Sequence, residues 1–407
     1  MVVKVAVIGS GVAGLAAARA LAGRCDVVVF EKADRPGGHV RTEAGGLDTG
    51  FIVYNERRYP HFCRMLDDLG IASRPTDMSF SVRAEGGLEY GSASLNAVFA
   101  QRRNLLRPDH YRLLAEIFDF LRRARRALLG GNAVGRSLDE FLDRHRFSRG
   151  LYDFFVAPLA GALWSMGRRP IGSFPAEVFL RFLDMHGMLR PIRPLPWRTI
   201  VGGSRAYIDA LIERLPVKLH LATPIETVMR DSRGVTLGLG DGRERRFDCA
   251  IIAAHADDAL DLLSEPTGRE TRVLGSIRYT ENDVWLHTDE SRLPSSRAAR
   301  ASWNYVVESG GDVSVTYWLN KLQGLEGPQS YCVTLNPRTP IASPRVLTRL
   351  SARHPLFDTG AASAQRELPR LQGSQNTFFA GAYFGFGFHE DGMRAGLSAA
   401  ARVLAGR

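Results

Sequence analysis

The chain has 407 residues, a formal net charge of +10 and a sequence pI near 9.7. That length exceeds one ordinary hydrophobic core, so two domains are expected, and 45% hydrophobic content excludes a disordered chain. No apolar run approaches the roughly 18 residues a bilayer span needs, and the four scattered cysteines, Cys25, Cys63, Cys249 and Cys332, exclude a zinc or disulfide framework.

The first fifty residues carry the strongest pattern. Val2 to Ile8 reads as a buried strand, Gly9-Ser10-Gly11-Val12-Ala13-Gly14 as a tight turn, and the small-residue run Leu15 to Leu21 as a helix. Gly9 permits the turn, Gly11 lets the backbone approach a pyrophosphate, and Gly14 lets helix and strand pack closely. An anion would then sit on the free N–H groups at the helix start. A second strand, Asp26 to Phe30, ends at Glu31, 20 residues after Gly11, where a carboxylate can accept both hydroxyls of an adenosine ribose.

Glu31-Lys32-Ala33-Asp34-Arg35-Pro36-Gly37-Gly38-His39-Val40-Arg41-Thr42 resembles the second signature of the amine oxidase, protoporphyrinogen oxidase and phytoene desaturase superfamily of flavoproteins. The resemblance implies FAD, with Gly37 and Gly38 beneath the pyrophosphate and Arg35 and Arg41 facing it. Asp48-Thr49-Gly50 resembles the segment that runs past the ribityl chain toward the flavin.

Further on, Glu56 to Leu69 is expected to be a helix. Residues 102–130 combine Arg102, Arg103, Arg107, Arg112, Arg122, Arg123, Arg125 and Arg126 with a stripe of Leu113, Leu114, Ile117, Phe118, Leu121 and Leu128. Such a basic amphipathic helix either packs its stripe on its own domain or dips it into an anionic lipid surface. Ser137 to Met188 reads as mainly helical and rich in Phe, Leu and Met. Gly202-Gly203 opens a helix to Leu215, and short strands run from Val217 to Phe247. Cys249 to His255 is a strand ending at a possible ligand crevice, and His255 is read as structural. In relatives the segment around Val228 touches the adenine through its backbone.

Asp283–Asp289, Ala301–Tyr305, Val313–Asn320 and Ser330–Leu335 are rich in Val, Thr, Trp and Tyr, which points to an antiparallel sheet. Trp303, Tyr305, Tyr317 and Trp318 are the candidate substrate wall. At the C-terminus, Asn376 to Gly381 is a strand, Ala382 to Glu390 a glycine and aromatic loop, and Asp391 to Leu404 a helix. This resembles the superfamily's final flavin-binding segment, which assigns Gly381, Gly392 and Met393 to the cofactor and aims helix amides at the flavin pyrimidine. Ala382-Tyr383 stands where relatives commonly carry an acid. No cysteine lies beside the loop to make a thioether, so the FAD is expected to be non-covalent.

The expected fold class is α/β: a Rossmann-like FAD-binding domain of residues 1–75, 196–272 and 370–407, with an inserted α+β substrate domain, residues 76–195 and 273–369, made of an antiparallel sheet and a helical cover. Trp197–Ser204, His287-Thr288-Asp289, Ala301–Tyr305 and Gly385–Gly392 resemble bacterial amine oxidase-like flavoproteins encoded beside cyclopropane fatty acyl phospholipid synthase-type methyltransferases, a family linked to furan fatty acids. The resemblance implies desaturation of a phospholipid acyl chain by hydride transfer to flavin N5. A redox-neutral acyl isomerase, an amine oxidase and a non-catalytic lipid- or partner-binding flavoprotein are the alternatives. His389 is the expected polar residue beside the flavin and the acceptor of the later proton. Tyr54 would orient it or the flavin, and Tyr317 and Trp318 would stabilise developing positive charge. The expected partners are the acyl chain, an anionic membrane surface and a phospholipid methyltransferase, not nucleic acid, and no metal is expected. The chain shows no secretory pattern near its start, so a cytoplasmic protein peripheral to the inner membrane face is expected.

Overall fold

The computed structural model describes residues 2–84, 87–131, 133–164, 171–185, 187–189, 195–307 and 313–406. Residues 165–170 and His186, within the expected helical stretch from Ser137 to Met188, lie outside the described residues. The architecture is mixed α/β, with a Rossmann-like core and an inserted sheet covered by helices. Five parallel strands form the core sheet in the order Lys218–His220, Asp26–Phe30, Lys4–Ile8, Cys249–Ile252, Thr377–Phe379. Val5, Val7, Val27, Val29 and Ile251 pack on one face, and Ala6, Ile8, Val28, Phe30 and Ile252 on the other. Burial on both faces is why these strands read as continuous apolar runs.

The first helix, Val12–Leu21, lies against the last, His389–Ala405. An ideal Cβ on Gly396 would fall 2.0 Å from the Ala13 carbonyl oxygen, so this contact tolerates only glycine. Ala16, Ala17 and Ala18 on one side and Ala395, Ala399 and Ala400 on the other are small for the same reason. The packing sets the two helix starts side by side.

The inserted sheet has seven strands in the order Val346–Pro355, Tyr279–His287, Cys332–Leu335, Val313–Trp318, Trp303–Val307, Phe80–Ala84, Glu89–Gly91. All neighbours are antiparallel except Trp303–Val307 and Phe80–Ala84, which run parallel. Side chains alternate across it. Phe80, Val82, Trp303, Tyr305, Val315, Tyr317 and Val333 share one apolar cluster, while Ser81, Asn304, Thr316, Thr334 and His287 form hydrogen-bonded ladders on the opposite face. The apolar face meets Leu113, Ile117 and Phe154 of the helical cover and Leu47, Ile52 and Val53 of the nucleotide side.

Several boundaries move. The helix expected from Glu56 starts at Pro60, with Tyr59 at its N-cap. Residues 102–106 form a short 3-10 turn ahead of the helix Pro108–Leu129. Of the stripe on that helix, Leu113 and Leu121 are buried and Leu114, Ile117 and Leu128 are half-buried, leaving Phe118 outside. The stripe therefore serves the protein's own core, with Phe120, Phe141 and Phe155. Among the described residues no helix is long and apolar enough to cross a membrane.

Candidate active site

The glycine turn builds a cradle with an open mouth. An ideal Cβ on Gly9 would lie 2.5 Å from the Ala253 carbonyl oxygen and one on Gly14 would lie 1.9 Å from that of Gly9, so packing alone forbids side chains there. Gly11 differs: a Cβ there meets nothing within 4 Å. It is the N-cap of the first helix, which has no side-chain cap and no acid in its first turn. Unfilled amides at a helix start facing open space suit a pyrophosphate. Gly37 and Gly38, at φ of 108° and 58°, close the same space, and a Cβ on Gly38 would come within 3.0 Å of the Gly11 Cα.

Charge in the cradle fits an anion. Arg35 donates to the Val40 carbonyl oxygen at 3.1 Å, and burial together with Arg41 and Arg205 close by lowers its pKa. A bound pyrophosphate would relieve that repulsion. Arg41 also pairs with Glu43 at 2.5 Å. Glu31 is buried, and its carboxylate accepts from the Ser10 N–H and hydroxyl at 2.8 and 2.7 Å and from the Ala33 N–H at 2.9 Å. With three of about four acceptor positions filled, room is left for one ribose hydroxyl rather than the expected two. Val228 does not offer its backbone to an adenine. Its N–H donates to the Leu262 carbonyl at 2.7 Å, its carbonyl accepts from Ser264, and its side chain is fully buried.

The last helix starts at His389, two residues earlier than expected. The Gly392 N–H is spent on the Phe388 carbonyl, and the Met393 side chain is in the core with Leu15 and Tyr54, so the free amides belong to residues 389–391. The missing side chain of Gly392 instead makes room for Val12, to which a Cβ would come within 2.8 Å. Gly381 makes room for the Tyr383 ring, 2.3 Å from its ideal Cβ.

His389 itself is walled in. Its ring stacks on Phe51 at 3.8 Å, meets Phe62 edge-on at 5.1 Å, and its Nε2 shares a 2.6 Å hydrogen bond with the Tyr207 hydroxyl. Burial pushes its pKa down to about 3. An imidazole so reluctant to protonate is unsuited to accept the proton expected of it, and its geometry is that of a rigid support. Glu390 accepts from the His61 and Phe62 N–H groups at 3.0 and 3.1 Å, capping the helix Pro60–Leu69. Asp391 accepts from the Phe386 N–H at 2.8 Å and pairs with Arg394. Tyr54 packs edge-on against Phe62 at 5.1 Å, and its hydroxyl turns to Ser73 and Arg198, away from His389.

The proposed aromatic wall splits in two. Tyr317 pairs with Trp303 across the strands, rings 5.0 Å apart and perpendicular, on the apolar face next to Tyr305. Trp318 follows Tyr317 directly and so belongs to the other face, in register with Cys332. It therefore leaves the group. Three of the carboxylates bordering the sheet are engaged. Asp77 holds Ser302 at 2.8 Å and Lys321 at 3.5 Å, and Glu89 accepts from the Ser295 and Ser296 N–H groups, each at 3.0 Å. Asp283 pairs with Arg349 at 2.8 Å.

One cluster was invisible in the sequence. His39, exposed beside Gly38, has its ring 5.3 Å from that of His255 and 6.2 Å from that of His354, and His255 stacks on Tyr279 at 4.4 Å. Burial pushes His255 down to about 3 and His354 to about 4, so both are neutral. Asp257 and Asp258 lie beside His255, but Arg353 pairs with both and Lys32 lies 3.8 Å from Asp258, so two cations already balance the two carboxylates.

Asp48, at the flavin-side segment, is fully buried and accepts from Thr42 at 2.5 Å, from the Ser204 N–H and hydroxyl at 2.9 and 2.7 Å, and from Gln323 at 3.1 Å. Burial outweighs these donors and raises its pKa from 3.8 to about 6. A raised folded pKa favours the protonated folded state, so its stabilising contribution is full below about pH 4 and is lost as pH rises through about 6. Unfolding of FAD-saturated protein at graded pH should show the parent losing up to about 3 kcal/mol relative to Asp48→Asn as pH rises across that window. Parallel pH profiles would refute this.

Residues 12–308, nearly three quarters of the chain, match the family model of flavin containing amine oxidoreductase. A putrescine oxidase variant redesigned in cofactor binding superposes with a TM-score of 0.73 at 16% identity, covering 100% of this chain and 99% of that one. Cyclohexylamine oxidase from Brevibacterium oxydans gives 0.71 at 16% identity, with 100% and 99% covered. A CLA-producing fatty acid isomerase from P. acnes gives 0.69 at 17% identity, with 98% of each chain covered. At these identities the likeness is one of fold. No curated protein matches the chain.

Proposed function

Because the chain belongs to the flavin containing amine oxidoreductase family and is thus an FAD-dependent oxidoreductase, we propose that its substrate is an unsaturated acyl chain, still esterified in phospholipid, which it dehydrogenates. When bound, FAD would supply the acceptor for both hydrogens, the hydride from a carbon beside the double bond and the proton that then leaves the next carbon. The cradle of Gly9, Gly11, Gly14, Gly37 and Gly38, with Glu31, Arg35 and Arg41, would hold it, and the start of the last helix would face its ring.

The observation that carries the substrate class is the sheet's apolar face. Phe80, Trp303 and Tyr317, each half-buried, would exclude water and lay an extended hydrocarbon in one orientation. The ring face of Tyr317 would stabilise charge as hydride departs. Oxidation of an amine is the second reading, supported by the family's name and by the fold likeness to two amine oxidases. Redox-neutral isomerisation of an acyl chain, supported by the likeness to a fatty acid isomerase, begins with the same hydride removal. A phospholipid methyltransferase as supplier of the substrate is carried by the sequence resemblance alone.

Anaerobic mixing of FAD-loaded protein with vesicles of mono-unsaturated phospholipid, with a primary amine and with a diamine separates these readings. Loss of the flavin's visible colour with lipid, and a product two hydrogens lighter, is the expected result. Bleaching by amine alone would overturn the proposal, and a product of unchanged mass would replace dehydrogenation by isomerisation.

A further inference from the structure

The helix Pro108–Leu129 buries the stripe that its sequence offered to lipid, yet its outward side is not an ordinary solvated face. Of the eleven exposed large apolar side chains among the described residues, seven lie between Leu95 and Val134. Leu106 is 88% exposed, Leu129 83% and Phe118 59%. On the helix, Tyr111, Phe118 and Leu129 recur at spacings that keep them on one side, with Arg122 and Arg125 between them. Leu105 and Leu106 extend the face from the preceding 3-10 turn. Scattered surface leucines need no explanation, but a contiguous set does.

The charge around these residues has one sign. Arg102, Arg103, Arg107, Arg112, Arg122, Arg125 and Arg126 are exposed, against Asp109 as the one exposed acid of residues 95–134 among those described. Asp119 is taken by Arg122 and Arg123, and Glu116 accepts from the Ser148 hydroxyl. Arg107, Arg112, Arg125 and Arg126 have no ion-pair partner among the described residues. Guanidinium groups interleaved with leucine and aromatic side chains match a surface whose phosphates lie just outside its hydrocarbon.

We propose that this face, the turn Arg102–Leu106 with the outward side of Pro108–Leu129, docks the protein on an anionic lipid bilayer. Leu105, Leu106 and Phe118 enter the boundary between headgroups and acyl chains, and the arginines bind the phosphates around them. The docking does not rest on the acyl-chain reading, and it is measured without turnover.

The test is flotation of the FAD-loaded protein with phosphatidylglycerol vesicles and with phosphatidylcholine vesicles, for the parent, Leu106→Asp/Phe118→Asp and Arg125→Glu/Arg126→Glu. All four positions are exposed, so flavin content and unfolding midpoint should match the parent in both variants. The parent should bind the anionic vesicles at least about tenfold more tightly than the neutral ones, and raised salt should weaken that binding. Each variant should lose about tenfold or more. Failure to float with anionic vesicles, equal binding to both vesicle types, or undiminished binding by the two variants would overturn the proposal. So would sedimentation showing that the parent is a dimer which the leucine and phenylalanine substitutions dissociate, because the face would then belong to a second copy.

Discussion

Gly11→Ala is expected to leave the apoprotein as stable as the parent while weakening FAD binding about tenfold to a hundredfold, which is about 1.4 to 2.8 kcal/mol. Gly11 has φ of −67° and ψ of 177°, a conformation alanine adopts freely, and its Cβ would meet no protein atom within 4 Å. What the methyl group would meet is the ligand. Gly14→Ala should behave differently, because its Cβ would fall 1.9 Å from a backbone oxygen that cannot move without shifting the first strand or helix. It should destabilise the apoprotein by about 1–3 kcal/mol and lose FAD as well. Denaturation of both apoproteins beside fluorescence titration with FAD separates the two. A Gly11→Ala protein that binds FAD normally would remove the pyrophosphate from the place assigned to it.

A comparable loss should come from a pair far from any chemistry. Arg230 and Glu270 are buried to 2% and 1% exposure and joined by two parallel hydrogen bonds of 2.6 and 3.0 Å. Glu270 also accepts from the Thr267 N–H and hydroxyl at the start of the helix Gly268–Gly275. Glu270→Ala strands a buried guanidinium and removes the capping box, so about 3–5 kcal/mol of stability should go. Arg230→Met/Glu270→Leu should recover much of that, since it leaves no uncompensated charge. Urea unfolding at saturating FAD measures both. A single variant within about 1 kcal/mol of the parent would show that the pair is solvated in solution.

How much of this could be read in the sequence depended on whether the signal was local. The glycine turn, the two apolar strands and the small-residue helices were legible because each is a short-range pattern with one physical cause, and the core sheet follows from them. The strand Val346–Pro355 was missed because it is a sheet edge carrying Arg349, Arg353 and His354, and an edge strand needs little apolar content. Trp318 was misplaced although the remedy was at hand: neighbours in a strand cannot line one wall, so choosing Tyr317 already excluded it. Gly392 and Met393 are assigned to the cofactor by the family resemblance, with the helix start placed at Asp391, two residues late. The true N-cap, Phe388, carries no capping side-chain oxygen.

His389 shows the other limit. A histidine before two acids in a glycine-rich loop looks reactive in one dimension. In three, each of the trio has a structural partner drawn from a distant segment: Tyr207, the start of the helix Pro60–Leu69, and the loop around Phe386. The grouping of His39, His255 and His354 is equally long-range, assembled from a glycine turn, a helix N-cap and an edge strand that no spacing in the sequence connects.

In the proposed reaction, FAD would be reduced by hydride from a carbon beside an acyl double bond lying on the face of Phe80, Trp303 and Tyr317. Anaerobic stopped-flow with mono-unsaturated phospholipid, comparing allylic hydrogen with allylic deuterium, tests it most directly. The account predicts that lipid bleaches the flavin and that deuterium slows the bleaching by a primary isotope effect. An unreduced flavin in the presence of lipid, with rapid bleaching by an amine, would contradict it.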